Sequence, residues 1–194
     1  MKIGRLLLRL TVGSLFIGHG TQKLLGWFGG HGLDATSQFF ESLGMRPGRR
    51  NAIASGVAET AGGAALVLGF ATPLAASALT ATMLTAIRRV HLPNGPWVAN
   101  GGYEYNLVMI AAALALVEVG PGELSLDHAL GIERSGDRWT LAALAAGVAG
   151  AVGVHLLAEA TPSTEPEEAQ APATSDGAAE SSEGQPEQAA QTGA

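Results

Sequence analysis

The chain has 194 residues, of which 47% are hydrophobic and only 14% charged, whereas an average soluble domain is about 25% charged. All 11 Lys and Arg residues and 10 of the 17 acidic residues lie in residues 1–160. Nucleic-acid binding is excluded, because no basic stripe is available to neutralise phosphates. The absence of cysteine excludes a disulfide scaffold and any thiol chemistry on this chain. Long apolar stretches rich in Gly and Ala instead predict a membrane protein.

Residues 1–120 contain four apolar stretches, each close to the length of about 20 residues that a membrane-spanning helix needs. Lys2, Arg5 and Arg9 stand at the start of the first stretch, where we expect their side chains to snorkel toward lipid head groups. Pro73 separates the second stretch from the third. The short links predict an antiparallel core of four transmembrane helices. The four predicted spans are 4–28, 52–71, 74–90 and 103–117.

Residues 31–50 predict a short helix between the first two spans rather than a span. Asp34 is placed to cap the N-terminus of this helix, and Gly44 is placed to end it. Two interpretations stay open, an amphipathic helix on the membrane surface and an ordinary loop helix. The apolar side of the helix would consist of Leu33, Phe39, Phe40 and Leu43.

The C-terminal third of the chain predicts a loop, a fifth span and a tail. Residues 121–138 have the composition of a loop. Residues 139–158 predict a fifth transmembrane helix, although Ala, Gly and Val each add little to the free energy of insertion. Residues 159–194 contain no basic residue and too little apolar surface to offset the entropy of ordering, which predicts a disordered acidic tail. The fold class is therefore an all-α polytopic membrane protein, and the competing soluble bundle would need charged outer helix faces.

Small residues at four-residue spacing predict close contacts between these helices, because lipid tails supply no hydrophobic drive for helix association. The spaced sets are Ala58 and Gly62 in the second span, Ser77 and Ala81 in the third, and Ala143, Gly147 and Ala151 in the last.

Polar and ionisable side chains within the spans predict a ligand-binding cluster, since each is costly in a membrane unless it is paired or hydrated. The end of an odd-numbered span and the start of an even-numbered one face the same side of the membrane. Antiparallel threading therefore gathers these side chains at one face, where their excess positive charge suits an anionic or carbonyl-bearing ligand. The predicted binding residues are His19, Lys23, Glu59, Arg88, His91, Tyr103 and Glu104.

Structural explanations compete with the binding interpretation for several of these residues. Glu59 could pair with a cation merely to fix helix register, and Lys23 could snorkel. Arg89 is expected to anchor the third span at head groups. Two histidines and a carboxylate give only weak support for a metal site, so none is predicted. Three further histidines have no visible partner and are expected to be incidental, namely His31, His128 and His155.

Several spaced motifs resemble the DoxX family of small bacterial membrane proteins over about residues 1–120. They are HGTQKLLGWFGG at 19–30, FFESLG at 39–44, AET at 58–60, RRVHLPNG at 88–95 and GPWVANGGYEYNLVMIAAALAL at 95–116. The resemblance implies a multi-pass protein of the bacterial inner membrane, similar to the membrane subunits of thiosulfate:quinone oxidoreductases. By their positions in these motifs, the resemblance also implies that the same seven residues form the ligand site, and the expected ligand is a quinone.

Two functions remain open at this point. One is an integral membrane subunit of a quinone-linked oxidoreductase complex, whose partners are the lipid bilayer and soluble redox proteins. Because the chain has no recognisable flavin, haem or iron–sulfur motif, its electrons would come from such a partner. The other is a non-enzymatic membrane scaffold or anchor, in which the polar cluster only fixes helix packing.

Overall fold

The computed structural model describes residues 2–161, which form helices joined by loops, with no strand among them. This confirms the all-α prediction. Of the predicted tail, residues 159–194, the first two lie in the last helix, which ends at Ala160, and residues 162–194 lie outside the described residues. One π-helical turn, Ile87–His91, continues α4 directly toward the following loop. The helices are α1 Ile3–Leu25, α2 Gly32–Ser42, α3 Gly48–Leu68, α4 Thr72–Ala86, α5 Glu104–Val119, α6 Leu126–Ala129 and α7 Asp137–Ala160.

Helices α1 and α3 pack antiparallel along a line of glycines. Gly13 lies against Gly63, and Gly20, two helical turns further along α1, lies against Gly56. A Cβ added at Gly13 would stand 2.6 Å from the carbonyl oxygen of Gly63. This contact therefore requires glycine, because the two backbones approach too closely for any side chain.

The other long helices complete the bundle around a shared core. Helix α4 is antiparallel to α5 and runs in the same direction as α7. On α7, Gly147 faces Thr80 of α4, and Gly150 faces Ala81. Two of the three predicted sets of small residues thus lie at one helix contact, although the sequence had not paired these two helices. The largest fully buried apolar side chains of the core are Phe16, Leu66, Leu79, Leu116 and Val117.

Several helix boundaries differ from the sequence prediction, and two of the differences have a local explanation in this part of the bundle. Helix α3 ends at Leu68, before the predicted residue 71, because Gly69 adopts a left-handed conformation with φ of 61°. Helix α2 begins at Gly32 with His31 at its N-cap, so the predicted cap at Asp34 is wrong. The Asp34 carboxylate instead accepts a hydrogen bond from the Arg49 guanidinium at 2.9 Å.

The end of the bundle opposite the polar cluster is closed by a buried arginine. Arg9 is only 3% exposed, and its guanidinium donates to the carbonyls of Pro121, at 2.6 Å, and Leu124. The predicted snorkelling of Arg9 is therefore wrong, because the loop after α5 brings backbone acceptors within reach of its side chain. Arg5 makes a similar bond, donating to the Val119 carbonyl at 3.0 Å.

Two helices of the described part of the chain, α3 and α7, are long and apolar enough to cross a membrane. Helices α4 and α5 have 15 and 16 residues, which is short of the usual length of about 20. The outer surface nevertheless carries exposed large apolar side chains on α1, α4, α5 and α7, as a lipid-facing surface does. Examples are Leu7, Leu74, Val108, Leu141 and Leu157.

Candidate functional site

A cavity of about 570 Å³ lies inside the bundle, at the end where α1 and α4 finish and α3 and α5 begin. Its volume falls within the range of roughly 300–1,000 Å³ that small-molecule sites occupy. The wall is mostly apolar and is formed by short side chains on α3 and α4. These are Ala54, Ser55 and Ala58 of α3, and Ala78, Ala81, Thr82, Thr85 and Ala86 of α4.

Short side chains explain why the space exists. Where α3 meets α1, glycines let the two backbones come into contact. The face of α3 that carries Ala and Ser lines the cavity instead, and its side chains are too short to fill the space. The α2 helix covers the space with Phe40, whose side chain is buried together with Met45 and Ala52. The cavity is thus an apolar chamber with a capping helix.

Four of the seven predicted binding residues line this cavity, namely His19, Lys23, Glu59 and His91. Two residues that were not predicted to bind ligand, Arg89 and Tyr105, add further polar groups to the wall. The structure places the other three predicted residues outside the wall: Arg88, Tyr103 and Glu104. The antiparallel threading therefore brought together the correct helix ends but not every residue on them.

The buried carboxylate of the site belongs to Glu59, which is only 2% exposed. It forms a salt bridge and hydrogen bond with the ammonium of Lys23, whose side chain is 27% exposed. Lys23 therefore does not snorkel, because its ammonium is held at the α1–α3 contact. The pair leaves this part of the cavity with no net charge while both groups are ionised.

A second polar contact joins α1 to α5. The Nε2 atom of His19 lies 3.3 Å from the Tyr105 hydroxyl, and their ring centroids are 5.9 Å apart. Tyr105 occupies this position because α5 begins at Glu104, which places Tyr103 at the N-cap rather than on a helical face. His19 is exposed on its other side, so this pair connects the cavity with the protein surface.

Glu104 has a different role from the one its position in the sequence suggested. Its carboxylate accepts a hydrogen bond from the Val98 backbone N–H at 2.7 Å. The backbone N–H of Glu104 in turn donates to the Pro96 carbonyl at 2.8 Å. Glu104 therefore closes the loop between α4 and α5 and does not face the cavity.

The π-helical turn after α4 supplies two further groups. The Nδ1 atom of His91 donates to the Gly101 carbonyl at 2.7 Å, which leaves Nε2 as the second hydrogen-bonding atom of the ring. Arg89 is partly buried and its Nε donates to Nδ1 of His155 at 3.0 Å. His155 is thus not incidental as expected, whereas Arg88 is exposed.

A sequence signal for Arg89 existed in the pattern of α4. Ala78, Thr82 and Thr85 line the cavity at spacings of four and three residues, and Arg89 continues the same face four residues later. The prediction instead paired Arg88 with His91 by their three-residue spacing. Following the whole helix face would have selected Arg89.

The site can donate hydrogen bonds into an apolar chamber, but it offers no evident metal centre. Within residues 2–161, no three His, Asp or Glu side chains converge so as to hold a metal ion. With Lys23 neutralised by Glu59, the guanidinium of Arg89 is the cavity-lining cation that lacks a carboxylate partner among the described residues. The arrangement suits an apolar molecule that carries carbonyl or anionic oxygens.

Comparison with known proteins places these features in context. The family model described as DoxX matches residues 4–92. A protein of Bacillus subtilis (strain 168) named "Putative oxidoreductase CatD" is 33% identical over 126 residues, which is 65% of this chain and 86% of the relative. No solved structure matches the chain significantly.

Proposed function

Because the chain belongs to the DoxX family, we propose that it is an integral membrane subunit of a quinone-linked oxidoreductase complex. It is a membrane protein, and in this proposal it crosses the bacterial inner membrane several times. Helices α1, α3, α4 with its π-helical turn, and α5 form the four-span core, and α7 forms a fifth span. The name of the Bacillus subtilis relative supports a link to oxidation and reduction.

The observation that carries the proposal is the apolar cavity whose wall includes hydrogen-bond donors. A quinone has an apolar body and two ring carbonyls that accept hydrogen bonds. Arg89 and Tyr105 line the cavity, and a guanidinium and a phenol hydroxyl can donate hydrogen bonds to such oxygens. The methyl-lined walls of α3 and α4 suit the ring faces and the start of an isoprenoid tail.

Quinone reduction adds two electrons and two protons, which convert both carbonyl oxygens to hydroxyls. In the proposed complex the electrons come from a soluble redox partner. The protons come from water at the membrane surface, and the contact between exposed His19 and Tyr105 offers a route to the cavity. This chain would therefore bind the quinone and deliver protons, while the partner oxidises its own substrate.

The scaffold alternative also has a specific observation in its favour. The Lys23–Glu59 pair connects α1 to α3, so it could serve only to hold these helices together. The two functions differ in what they require of the cavity. A scaffold needs no empty space, whereas a quinone site loses binding when the space is filled.

A cavity-filling variant tests the proposal directly. The full chain in lipid nanodiscs would be exposed to a photoreactive azido derivative of a short-chain quinone, and the labelled residues mapped by mass spectrometry. Ala58→Phe fills the cavity, whereas Ala61→Phe adds the same volume on the exposed side of α3. We expect labelling of cavity residues that unlabelled quinone suppresses and that only Ala58→Phe abolishes. Equal labelling of both variants would refute the quinone site.

Turnover provides the second test. Quinol formation would be followed in membranes that contain the redox partners, for the natural chain and for the variants Glu59→Gln and Lys23→Ala. We expect both variants to slow quinol formation, because each disturbs the ion pair in the cavity wall. Unchanged turnover in both would favour the scaffold function.

A further inference from the structure

Helix α7 packs so tightly on α4 that it becomes part of the cavity wall. A Cβ added at Gly147 would lie 2.7 Å from Cβ of Thr80, and one at Gly150 would lie 3.2 Å from Cβ of Ala81. Gly150 and Val154 themselves line the cavity. The glycines thus let α7 approach α4 at the level where the cavity begins.

The common direction of the two helices then brings His155 to Arg89. His155 lies eight residues beyond Gly147 on α7, and Arg89 lies nine residues beyond Thr80 on α4. At the rise of an α-helix, both residues therefore lie roughly 12–14 Å along their helix axes from the Gly147–Thr80 contact. At that level Arg89 Nε donates to His155 Nδ1 at 3.0 Å. The contact follows from the glycine packing below it.

The hydrogen bond uses only one part of the guanidinium. A guanidinium has five N–H donors in a rigid planar fork, and a bond through Nε fixes the plane of the fork while its terminal nitrogens keep their donors. Arg89 also lacks a carboxylate partner among the described residues, unlike Lys23. His155 therefore orients the cavity's uncompensated cation without neutralising it.

We propose that His155 is a positioning residue that holds Arg89 for binding a carbonyl or anionic oxygen of the ring ligand, so that α7 is part of the ligand site. This inference rests on the proposed quinone function and goes beyond it. Helix α7 lies outside residues 4–92, which the family model matches. The inference therefore assigns the ligand site a component that the four-span core alone does not provide.

Substitutions at position 155 test the inference with the full chain in nanodiscs and the azidoquinone as the probe. Unlabelled quinone competes for labelling, and its half-effective concentration is measured. His155→Leu removes the acceptor, and we expect this concentration to rise about tenfold. His155→Asn keeps an acceptor near the position of Nδ1, so its half-effective concentration should stay within about threefold of the natural chain's. The matched control His128→Leu, at the opposite end of the bundle, should leave it unchanged.

An Arg89→Lys background separates positioning from packing. Lysine has no Nε–H that could be oriented in this way, so adding His155→Leu to Arg89→Lys should weaken binding no further. Three results would each overturn the inference while leaving the quinone site intact. The first is unchanged quinone affinity in His155→Leu, and the second is an affinity in His155→Asn as low as that of His155→Leu. The third is a loss of affinity from His155→Leu that is as large in the Arg89→Lys background as in the natural chain. Absence of competed labelling in the natural chain would instead refute the proposed function, and this inference with it. Should His155→Leu fail to fold, His155→Ala, which also removes the acceptor, takes its place in both backgrounds with the same expected results.

Discussion

The buried ion pair between α1 and α3 predicts a strong asymmetry between single and double substitutions. Glu59 is 2% exposed, so Lys23→Met leaves its carboxylate buried without a partner. Removing one member of a buried pair costs about 3–5 kcal/mol of unfolding free energy. Because the Lys23 side chain is 27% exposed and water can reach it, we expect a loss near the lower end, about 3 kcal/mol.

Removing both charges should recover most of this loss. In Lys23→Met/Glu59→Gln no ion is left to desolvate, and replacing a buried pair by groups of similar volume is often nearly neutral. We expect the double variant to lose less than about 1 kcal/mol, which gives a coupling free energy of about 2 kcal/mol or more.

Reversible unfolding in mixed micelles of detergent and sodium dodecyl sulfate, followed by circular dichroism, measures these free energies. Lys2→Met is the matched control, because Lys2 is exposed before the first turn of α1 and should change stability little. A Lys23→Met variant as stable as this control would refute the reasoning. So would single losses that simply add in the double variant, since additivity means that the two charges do not stabilise each other.

Three further predictions concern packing and the closed end of the bundle, each measured by the same unfolding assay. Gly13→Ala should lower the free energy of unfolding by about 2 kcal/mol, because its Cβ would stand 2.6 Å from the Gly63 carbonyl oxygen. Gly18→Ala, which has open space around its Cβ, should raise the free energy of unfolding by about 0.5–1 kcal/mol. Equal effects of the two substitutions would contradict the tight α1–α3 contact. Arg9→Met should lose about 3 kcal/mol, because two buried carbonyls of the loop after α5 lose a charged donor, and a neutral effect would mean that these carbonyls find other donors. Asp127→Ala should lower the free energy of unfolding by about 2 kcal/mol, because the Asp127 carboxylate accepts hydrogen bonds from two backbone N–H groups and a hydroxyl at the start of α4. A loss below about 0.5 kcal/mol would exclude a capping role.

Helix packing could be predicted from the sequence only in part, because small residues at four-residue spacing meet between α4 and α7 whereas Ala58 of α3 lines the cavity. Ser77, Ala81 and Gly147 stood out for this spacing, and they do form the α4–α7 contact. The α1–α3 contact uses glycines seven residues apart on each helix, Gly13 and Gly20 among them. This spacing is two helical turns, so the pattern is visible only when both helices are already known to face each other.

The candidate site was predictable at the level of helix ends but not of every side chain. Antiparallel threading fixes which ends meet, and this placed Lys23 and Glu59 together. The register within each helix depends on its starting residue and on local loop bonds. Tyr105 rather than Tyr103 enters the cavity because a loop bonded to Glu104 delays the start of α5. Such long-range loop contacts leave no periodic signal in the sequence.

The two ends of the bundle satisfy their buried charges in different ways, and this difference has a functional consequence. At the closed end, Arg9 and Asp127 are bonded to backbone carbonyls and N–H groups, which cannot move without unfolding a loop or a helix end. At the cavity end, Lys23, Glu59 and Arg89 are bonded to other side chains, which can change rotamer or exchange a partner for a ligand atom. Among these described side chains, those at the cavity end can therefore exchange a hydrogen-bond partner for a ligand atom more readily than those at the closed end. Substitutions at the closed end should change stability alone, whereas those at the cavity end should change binding even where stability is restored.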